Sequence, residues 1–378
     1  MLGTVYHGLE MLEDAETCYR QALALLPDRQ TIQNNLGVVL NDQGRHAEAI
    51  ATYRRLLEQD AEYAEGHWNL AVALLATEQY VAGWREYEWR FLKPNPVPDR
   101  GLSVPRWDGT PLNGKTVLLH AEQAFGDTIQ LARYVPLVAS LGGKVILECQ
   151  IPTLKRLLAS LDGNPTVIAR GEALPPFDFH LPLLSLPVTF GTTIDTIPDR
   201  IPYLAPESTD LGNWKHRLEK FTGFRVGLVW FAKQTQILNR KRSCPLKILA
   251  PLWQVPGVQF FSLQMGPGSE QLTEVGPNVP IHDLTPQIRD FADTAAIMTN
   301  LDLVITIDTV SAHLAGALGV KTWVLLPHVA EWRWHCQRTD SPWYPGMRLF
   351  RQQQRGDWAT LSSQVAAELR NLLGNNRD

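Results

Sequence analysis

The sequence predicts an α/β protein in which an all-α repeat domain precedes two α/β halves. Three observations predict this class. A 34-residue periodicity runs through the first ninety residues, short apolar strands alternate with helices from residue 115, and one strand–turn–helix–strand unit stands out near residue 310. At 378 residues the chain is too long for a single hydrophobic core, so we expect several domains.

Composition and charge narrow the class further. The net charge of −4 argues against a nucleic-acid binder by bulk electrostatics. The four cysteines lie far apart without a CxxC pair, which favours reduced thiols and a cytoplasmic location over a disulfide framework or zinc site. We expect no transmembrane span and no signal peptide, because neither pattern occurs in the sequence.

The first domain is predicted from its internal repeat. A shift of 34 residues aligns Leu2 with Leu36 and Leu70, Gly3 with Gly37 and Ala71, Ala15 with Ala49 and Gly83, and Tyr19 with Tyr53 and Tyr87. This period and pattern are typical of tetratricopeptide repeats, which are helix–turn–helix units. We predict about three repeats over residues 1–93, of which the first is incomplete.

Two roles stay open for the repeats. Such arrays present a concave surface to partners, but three repeats are few and could serve only to brace the next domain or a homodimer. The third repeat ends in Trp84, Tyr87, Trp89 and Phe91. These aromatic side chains require burial, which favours bracing and leaves a homodimer contact open.

A proline-rich linker over residues 94–114 separates the repeats from the α/β part. Strands and helices alternate over 115–210 and again over 211–378, which predicts two halves with parallel sheets and a cleft between them. Pro136 predicts a break in the first helix near Val135. The final helix has one apolar face, and whether it packs back on the N-terminal half stays open.

The unit over 302–319 predicts an anion site. Leu303–Ile307 is a buried strand in its pattern, and Thr309, Ser311 and His313 stand where the following helix begins. Free backbone N–H groups and the helix dipole bind anions there, and a diphosphate fits best. Asp308 would repel a phosphate, so we expect it to order the turn or hold a sugar hydroxyl. The structural alternative makes Ser311 the helix cap and His313 a surface residue.

Other polar residues follow predicted strands. Gly126 allows close approach of a ligand to the backbone, and Asp127 is a candidate general base or, more simply, a helix cap. Arg242 lies in a basic cluster that either neutralises a diphosphate or forms a solvated loop. Gln264 could reach the cleft, and Trp332 could stack a base or sugar or fill a core.

Several other functions lack their motifs. The sequence contains no GxxxxGK[ST] loop, no GxGxxG fingerprint and no GxSxG elbow. ATPase, NAD-enzyme and α/β-hydrolase interpretations are weakened accordingly.

These residues carry a resemblance to a known family. The runs from Gly126 to Gln130 and from Asp308 to Leu318 resemble the heptosyltransferase-like glycosyltransferases of family 9. Residues 115–375 are more closely similar to bacterial tetratricopeptide-repeat proteins that carry such a domain. Their shared runs include 177–187, 290–296, 332–334 and 340–345. The resemblance implies a GT-B fold, in which two Rossmann-like domains face a cleft.

The resemblance also implies a reaction. It implies inverting, metal-independent transfer of a hexosyl or heptosyl group from a nucleotide-sugar, with no cofactor. The acceptor hydroxyl binds the N-terminal half, where Asp127 matches the family's proposed base. The nucleotide binds the C-terminal half, where Thr309, Ser311 and His313 match the diphosphate turn and Arg242 is a candidate phosphate contact.

One segment departs from the family pattern. After Trp230 the relatives read close to Ala-Gly-Asn-Pro-x-His-x-Asn-Asp-Arg, whereas this chain has Phe-Ala-Lys-Gln-Thr-Gln-Ile-Leu-Asn-Arg over 231–240. The glycine, proline, histidine and aspartate of that segment are replaced. This departure supports an alternative, a catalytically degenerate scaffold that binds partner proteins.

We therefore predict an inverting glycosyltransferase whose acceptor is a glycan or a protein hydroxyl, presented by the repeats in one version of the hypothesis. The scaffold is the main alternative. A sugar-nucleotide epimerase, which also uses two Rossmann-like halves, is a weaker third hypothesis.

Overall fold

The computed structural model describes residues 1–98, 100–232, 241–276 and 279–374. They form two compact units. The repeat unit contains residues 1–103, 187–197 and 329–338, and the α/β unit contains the described residues of 104–186, 198–328 and 339–378. The predicted fold class is confirmed, because helical repeats precede two parallel sheets.

Six helices build the repeats: α1 (Leu2–Gly8), α2 (Leu12–Leu25), α3 (Gln30–Asp42), α4 (His46–Gln59), α5 (Ala64–Ala76) and α6 (Tyr80–Tyr87). In the first two repeats the paired helices approach closely because a glycine of one faces a tyrosine of the next. A Cβ atom on Gly37 would lie 2.3 Å from the Tyr53 ring, and one on Gly3 would lie 2.9 Å from Tyr19. The small residues that the 34-residue register aligns are therefore a packing requirement.

We expect Gly37→Ala to destabilise the repeat unit by roughly 1–3 kcal/mol, because the methyl group would overlap the buried ring of Tyr53. Urea unfolding followed by circular dichroism measures this loss. The matched control is Gly212→Ala, in a helix where nothing lies near the added atom. The control should be neutral or slightly stabilising, and equal losses in both variants would contradict the packing argument.

The aromatic end of the third repeat is buried within the chain. The Trp84 ring lies 5.2 Å from that of Trp332, and the Tyr80 hydroxyl is 2.9 Å from Nε2 of His335. Residues 329–338 thus cover this end of the repeats. Trp84 and Tyr87 are almost fully buried by these contacts, so they do not offer a surface to a second copy.

The N-terminal half of the α/β unit has four parallel strands in the order β3-β2-β1-β4. They are β1 (Thr116–His120), β2 (Lys144–Cys149), β3 (Thr166–Ala169) and β4 (Phe179–Pro182). Its helices are α7 (Phe125–Leu131), α8 (Val135–Ser140) and α9 (Lys155–Leu158). A short helix, α10 (Leu186–Thr189), follows β4, and its residues 187–189 belong to the repeat unit. A 3₁₀ turn separates α7 from α8, and Pro136 sits in the first turn of α8, so the predicted break is present.

The C-terminal half has six parallel strands in the order β10-β9-β8-β5-β6-β7. The strands are β5 (Phe224–Val229), β6 (Val258–Ser262), β7 (Ile281–Asp283), β8 (Leu303–Ile307), β9 (Thr322–Leu326) and β10 (Met347–Arg351). The chain runs outward from β5 to β7 and then returns to β8 beside β5. Strand order therefore reverses between β5 and β8, where open parallel sheets bind ligands.

The helices of this half are α11 (Ser208–Leu218), α12 (Ala250–Trp253), α13 (Gln271–Glu274), α14 (Phe291–Thr299), α15 (Val310–Ala317) and α16 (Trp358–Gly374). The final helix, α16, packs on α12 and on β10 of the same half. Its apolar face, which includes Leu361, Val365 and Leu369, joins the core formed by Val226, Ile305 and their neighbours.

The end of the predicted linker belongs to the α/β unit. Trp107 is buried, and its backbone N–H donates to the His180 carbonyl of β4 over 2.9 Å. Leu112 is also buried. Within the described ranges, no helix is long and apolar enough to cross a membrane.

Candidate functional site

The candidate site lies where β1, β5 and β8 end. Asp127 follows β1, Arg242 follows β5, and the turn Asp308–Thr309 follows β8. The carboxyl ends of parallel strands meet at one edge of each sheet, so these segments lie at the edges where open parallel sheets generally bind ligands.

The turn after β8 leads directly into α15. Thr309 occupies the cap position and the helix begins at Val310, so the alternative with Ser311 as cap is wrong. Thr309 and Ser311 are both partly exposed, whereas His313 is only 5% exposed and is not a surface residue. A ligand can therefore reach the two hydroxyls and the helix N-terminus, where the dipole favours negative charge.

Arg242 is held beside this turn by an ion pair. Its Nη1 donates to Oδ2 of Asp308 over 2.9 Å, and the Asp308 side chain is 6% exposed. The Asp308 carboxylate is thus engaged with the Arg242 guanidinium and holds it next to the helix N-terminus. Ser243, the next residue, accepts from the Ala232 backbone N–H over 3.1 Å and fixes the return of the chain from β5.

The two halves meet at Gly126 and His313. A Cβ atom on Gly126 would lie 2.6 Å from Cδ2 of His313, so only glycine leaves room for the imidazole. Nδ1 of His313 is 2.9 Å from the Tyr344 hydroxyl, which orients the ring from the other side. Helices α7 and α15 pack together around this contact. The structure therefore brings the turn that carries Asp127 next to the turn that carries Thr309.

Asp127 stands in the first turn of α7 and is half-buried. Its Oδ2 accepts a hydrogen bond of 2.9 Å from the Ala124 backbone N–H. Asp127 therefore takes part in capping α7, and this bond also orients its carboxylate at the edge of the sheet. Capping and proton transfer are compatible, because each carboxylate oxygen accepts more than one hydrogen bond.

Gln264 and Trp332 stand apart from these contacts. The Gln264 amide makes four backbone hydrogen bonds: Oε1 accepts from Trp230 and Phe231, and Nε2 donates to the Phe231 and Pro267 carbonyls. It therefore organises the loop after β6. Trp332 is 2% exposed within the repeat unit. Most of the altered 231–239 segment, from residue 233, lies outside the described residues, and so does Arg240.

Sequence reasoning did not single out Arg133, and it included Tyr344 only within the shared run 340–345. Arg133 is buried, donates to the Trp343 carbonyl over 2.7 Å, and lies 4.7 Å from the centre of the Tyr344 ring. It thereby supports the residue that orients His313. An arginine inside an apolar helical stretch was the available signal, since a buried cation requires partners.

A network of ion pairs also joins the halves. Arg156 of α9 donates to both carboxylate oxygens of Asp290 at 3.0 and 2.9 Å and pairs with Asp210. Arg289 donates twice to Asp293 at 2.7 Å, and these hydrogen bonds lower the pKa of Asp293 from 3.8 to about 2. The Asp293 carboxylate is 1% exposed, so solvent screens it little.

We expect the ion pair between Arg289 and Asp293 to make the free energy of unfolding depend on pH. A depressed carboxyl pKa stabilises the folded state fully above about 4, and the effect is lost as pH falls through about 2. The contribution is about 2 kcal/mol at neutral pH and about half of that at pH 3. The difference in unfolding free energy between wild type and Asp293→Asn should therefore shrink by about 1 kcal/mol from pH 7 to pH 3.

Urea titrations at both pH values measure that difference. The control is Asp162→Asn, whose carboxylate pairs with Arg200 on the surface and contributes little. A difference between wild type and the Asp293→Asn variant that stays constant across this pH range would contradict the assignment.

Among the residues that the structure describes, no three His, Cys, Asp or Glu side chains converge as they would around a metal ion.

Comparison with known proteins agrees with this architecture. A family model described as tetratricopeptide repeat matches residues 1–64 and 42–83. The glycosyl transferase family 9 protein from Veillonella parvula has a similar structure, with a TM-score of 0.52 at 11% identity, over 70% of this chain and 99% of that one. The fold is that of a GT-B glycosyltransferase. The GT-B fold therefore accounts for the two facing sheets, and the tetratricopeptide repeats for the helices before them.

Two further proteins are similar to this chain. Protein FlbA of Caulobacter vibrioides is 26% identical over 398 residues, which cover 98% of this chain. The chain spans 66% of the length of FlbA. The ADP-heptose lps heptosyltransferase II of E. coli aligns with a TM-score of 0.48 at 11% identity, over 70% of this chain and all of that one.

Proposed function

We propose that the protein is an inverting glycosyltransferase that moves a hexosyl or heptosyl group from a nucleoside-diphosphate sugar to a hydroxyl group. One observation carries the proposal. Arg242, held by Asp308, and the N-terminus of α15 stand together where strand order reverses between β5 and β8. A cation beside free helix N–H groups at such a point suits a diphosphate.

The proposed reaction uses the two adjacent turns that carry Asp127 and Thr309. In the proposal Asp127 accepts the proton of the acceptor hydroxyl, and the oxygen attacks the anomeric carbon of the donor sugar. The bond between that carbon and the phosphate oxygen breaks, and the nucleoside diphosphate leaves. Arg242 and the helix dipole stabilise the charge that develops on the leaving group, so the scheme needs no metal ion.

Each remaining site residue has a role in this scheme. Thr309 and Ser311 are accessible hydroxyls for the diphosphate. His313, packed on Gly126, keeps donor and acceptor turns adjacent. Gln264 contributes indirectly, because it holds the loop after β6 in place. Trp332 has a packing role in the repeat unit, where it covers Trp84.

The acceptor is proposed to be a glycan or a protein. A groove of about 430 Å³ among the repeats is lined by both charges and apolar side chains, including Arg20, Arg55, Asp28 and Leu36. Such a surface suits an extended polypeptide. We therefore favour a protein acceptor, a segment of which binds the repeats.

A thermal-shift screen tests the donor assignment. The native protein is incubated with UDP, GDP, ADP, dTDP, CMP and their common sugars. A ligand that binds only the folded state at 100 times its Kd stabilises it by about 2.7 kcal/mol, so one nucleotide should raise Tm clearly. Arg242→Met should abolish this shift, whereas exposed Arg217→Met should retain it.

The scaffold is the second candidate, favoured by the altered sequence over 231–240. In that case no nucleotide or nucleotide-sugar would shift Tm in a sample that unfolds cooperatively. An epimerase would instead convert the nucleotide-sugar to a new epimer in the absence of any acceptor.

A further inference from the structure

The turn between β1 and α7, residues 121–124, leads the chain to Asp127. Ala124 occupies the cap position of α7, and its methyl side chain cannot bond to the helix as a hydroxyl or carboxylate cap would. Gln123 and Ala124 are also exposed, so water competes for their backbone groups. The end of this turn therefore needs support from other parts of the chain.

Gln150 supplies such support. It follows β2 directly, and its Nε2 donates to the carbonyl oxygens of Gln123 and Ala124, each over 3.0 Å. Its Oε1 accepts from Oγ1 of Thr128 over 3.0 Å, and Thr128 is only 1% exposed. An amide group has two hydrogens to donate and an oxygen that accepts, so one side chain can make all of these bonds. Gln150 thus bonds to the chain on both sides of Asp127.

The start of the same turn is held from two other strands. Arg170, directly after β3, donates to the Ala121 carbonyl. Glu122 accepts at Oε2 from the backbone N–H of Leu184, which follows β4, over 3.3 Å. These two contacts fix the start of the turn, whereas Gln150 fixes its end, where α7 begins. A change at Gln150 should therefore act mainly on the first turn of α7.

We propose that Gln150 is a positioning residue for the transfer reaction, because it holds the carboxylate of Asp127 in the orientation that receives the acceptor proton. The inference rests on the proposed function. Oδ2 of Asp127 accepts from the Ala124 backbone N–H over 2.9 Å, and Gln150 bonds to the carbonyl of that same alanine. Loss of the amide frees Ala124 to move, and the carboxylate moves with it. A carboxylate at position 150 could not replace the amide, because it has no hydrogen to donate to the two carbonyl oxygens.

Kinetics of Gln150→Leu and Gln150→Glu test the inference. Leucine removes all three hydrogen bonds, and glutamate keeps only the acceptor for the Thr128 hydroxyl. We expect kcat to fall by about 10–100-fold in both variants, because a small displacement of a reacting group has an effect of this size. The donor Kd, measured by calorimetry, should be unchanged. The matched control is Gln259→Leu, which removes an amide 3.0 Å from Nε2 of His282 in the C-terminal half and should keep the wild-type kcat.

Combination with Asp127→Asn separates positioning from general stability. If Gln150 acts through Asp127, Gln150→Leu should lower kcat little further in the Asp127→Asn background, whereas a purely structural effect would lower kcat by the same factor in both backgrounds. Thr128→Val removes one of the three hydrogen bonds and should give a smaller loss that is again absent in the Asp127→Asn background. The test therefore does not depend on the folding of the Gln150→Leu variant.

The outcomes distinguish this inference from the proposed function. Equal losses in both backgrounds, or the wild-type kcat in both Gln150 variants, would overturn the inference and leave the proposed transfer standing. A weaker donor affinity with an unchanged kcat would do the same. A wild-type protein that transfers no sugar would overturn the proposed function itself, and the inference with it.

Discussion

Replacing Asp127 by Asn should lower the rate of sugar transfer by about 10²–10⁴-fold, because the amide cannot accept the proton of the acceptor hydroxyl. The fold should survive, since the amide oxygen can still accept the hydrogen bond from the Ala124 backbone N–H. Donor binding should be retained, because the proposed nucleotide contacts, Arg242 and the N-terminus of α15, are on the C-terminal half. The expected result is therefore a loss in kcat with little change in the donor Kd.

The measurement combines steady-state kinetics with donor titration by calorimetry. The matched control is Asp178→Asn. Asp178 also accepts a backbone hydrogen bond, from Thr116 over 2.8 Å, but at the opposite edge of the same sheet. The control should keep the wild-type rate. Transfer at that rate by the Asp127→Asn enzyme would show that Asp127 only caps α7.

The second large effect is expected at Gly126. In Gly126→Ala the new methyl group would overlap the His313 ring, so the ring or α7 must shift. His313 cannot yield easily, because Tyr344 and the packing of α7 on α15 hold it. Misplacement of a reacting group by about 1 Å costs on the order of 100-fold in rate, and we expect a loss of that size in kcat/KM.

Kinetics and thermal unfolding separate this effect from general destabilisation. Gly212→Ala serves again as the control, because its helix has space for the methyl group. His313→Ala in the Gly126→Ala background relieves the overlap and should restore Tm. A Gly126→Ala enzyme with full activity would show that the contact between the two turns is unimportant for transfer.

Several strands could be predicted from the sequence to the residue. Thr116–His120, Thr166–Ala169, Leu303–Ile307 and Thr322–Leu326 are short apolar runs with clear ends, and the structure has the same bounds. Strands β4, β7 and β10 have no such apolar run. All three lie at sheet edges, and polar residues such as His180, His282 and Arg348 interrupt their apolar positions.

The candidate site could be predicted only in part. Asp127, Thr309 and Ser311 follow strands, so sequence reasoning located them at the ligand-binding edges. Arg133 and the role of Tyr344 were not predicted, because each residue acts through a partner far along the chain. Tyr344 contacts His313, and Arg133 donates to the Trp343 carbonyl. Trp332 looked like a ligand-stacking residue, yet its neighbours are Trp84 and Tyr87 of the third repeat.

The sequence by itself determined the order of the domains, the repeat register and most of the parallel strands. These features depend on local periodicity: small residues and a tyrosine every 34 residues, and apolar runs that end in polar turns. Only the tertiary structure decided which side chains meet. The pairing of Arg242 with Asp308, the fit of His313 against Gly126 and the burial of Trp84 by Trp332 join residues distant in sequence. Such contacts depend on how whole elements pack, which no local pattern encodes.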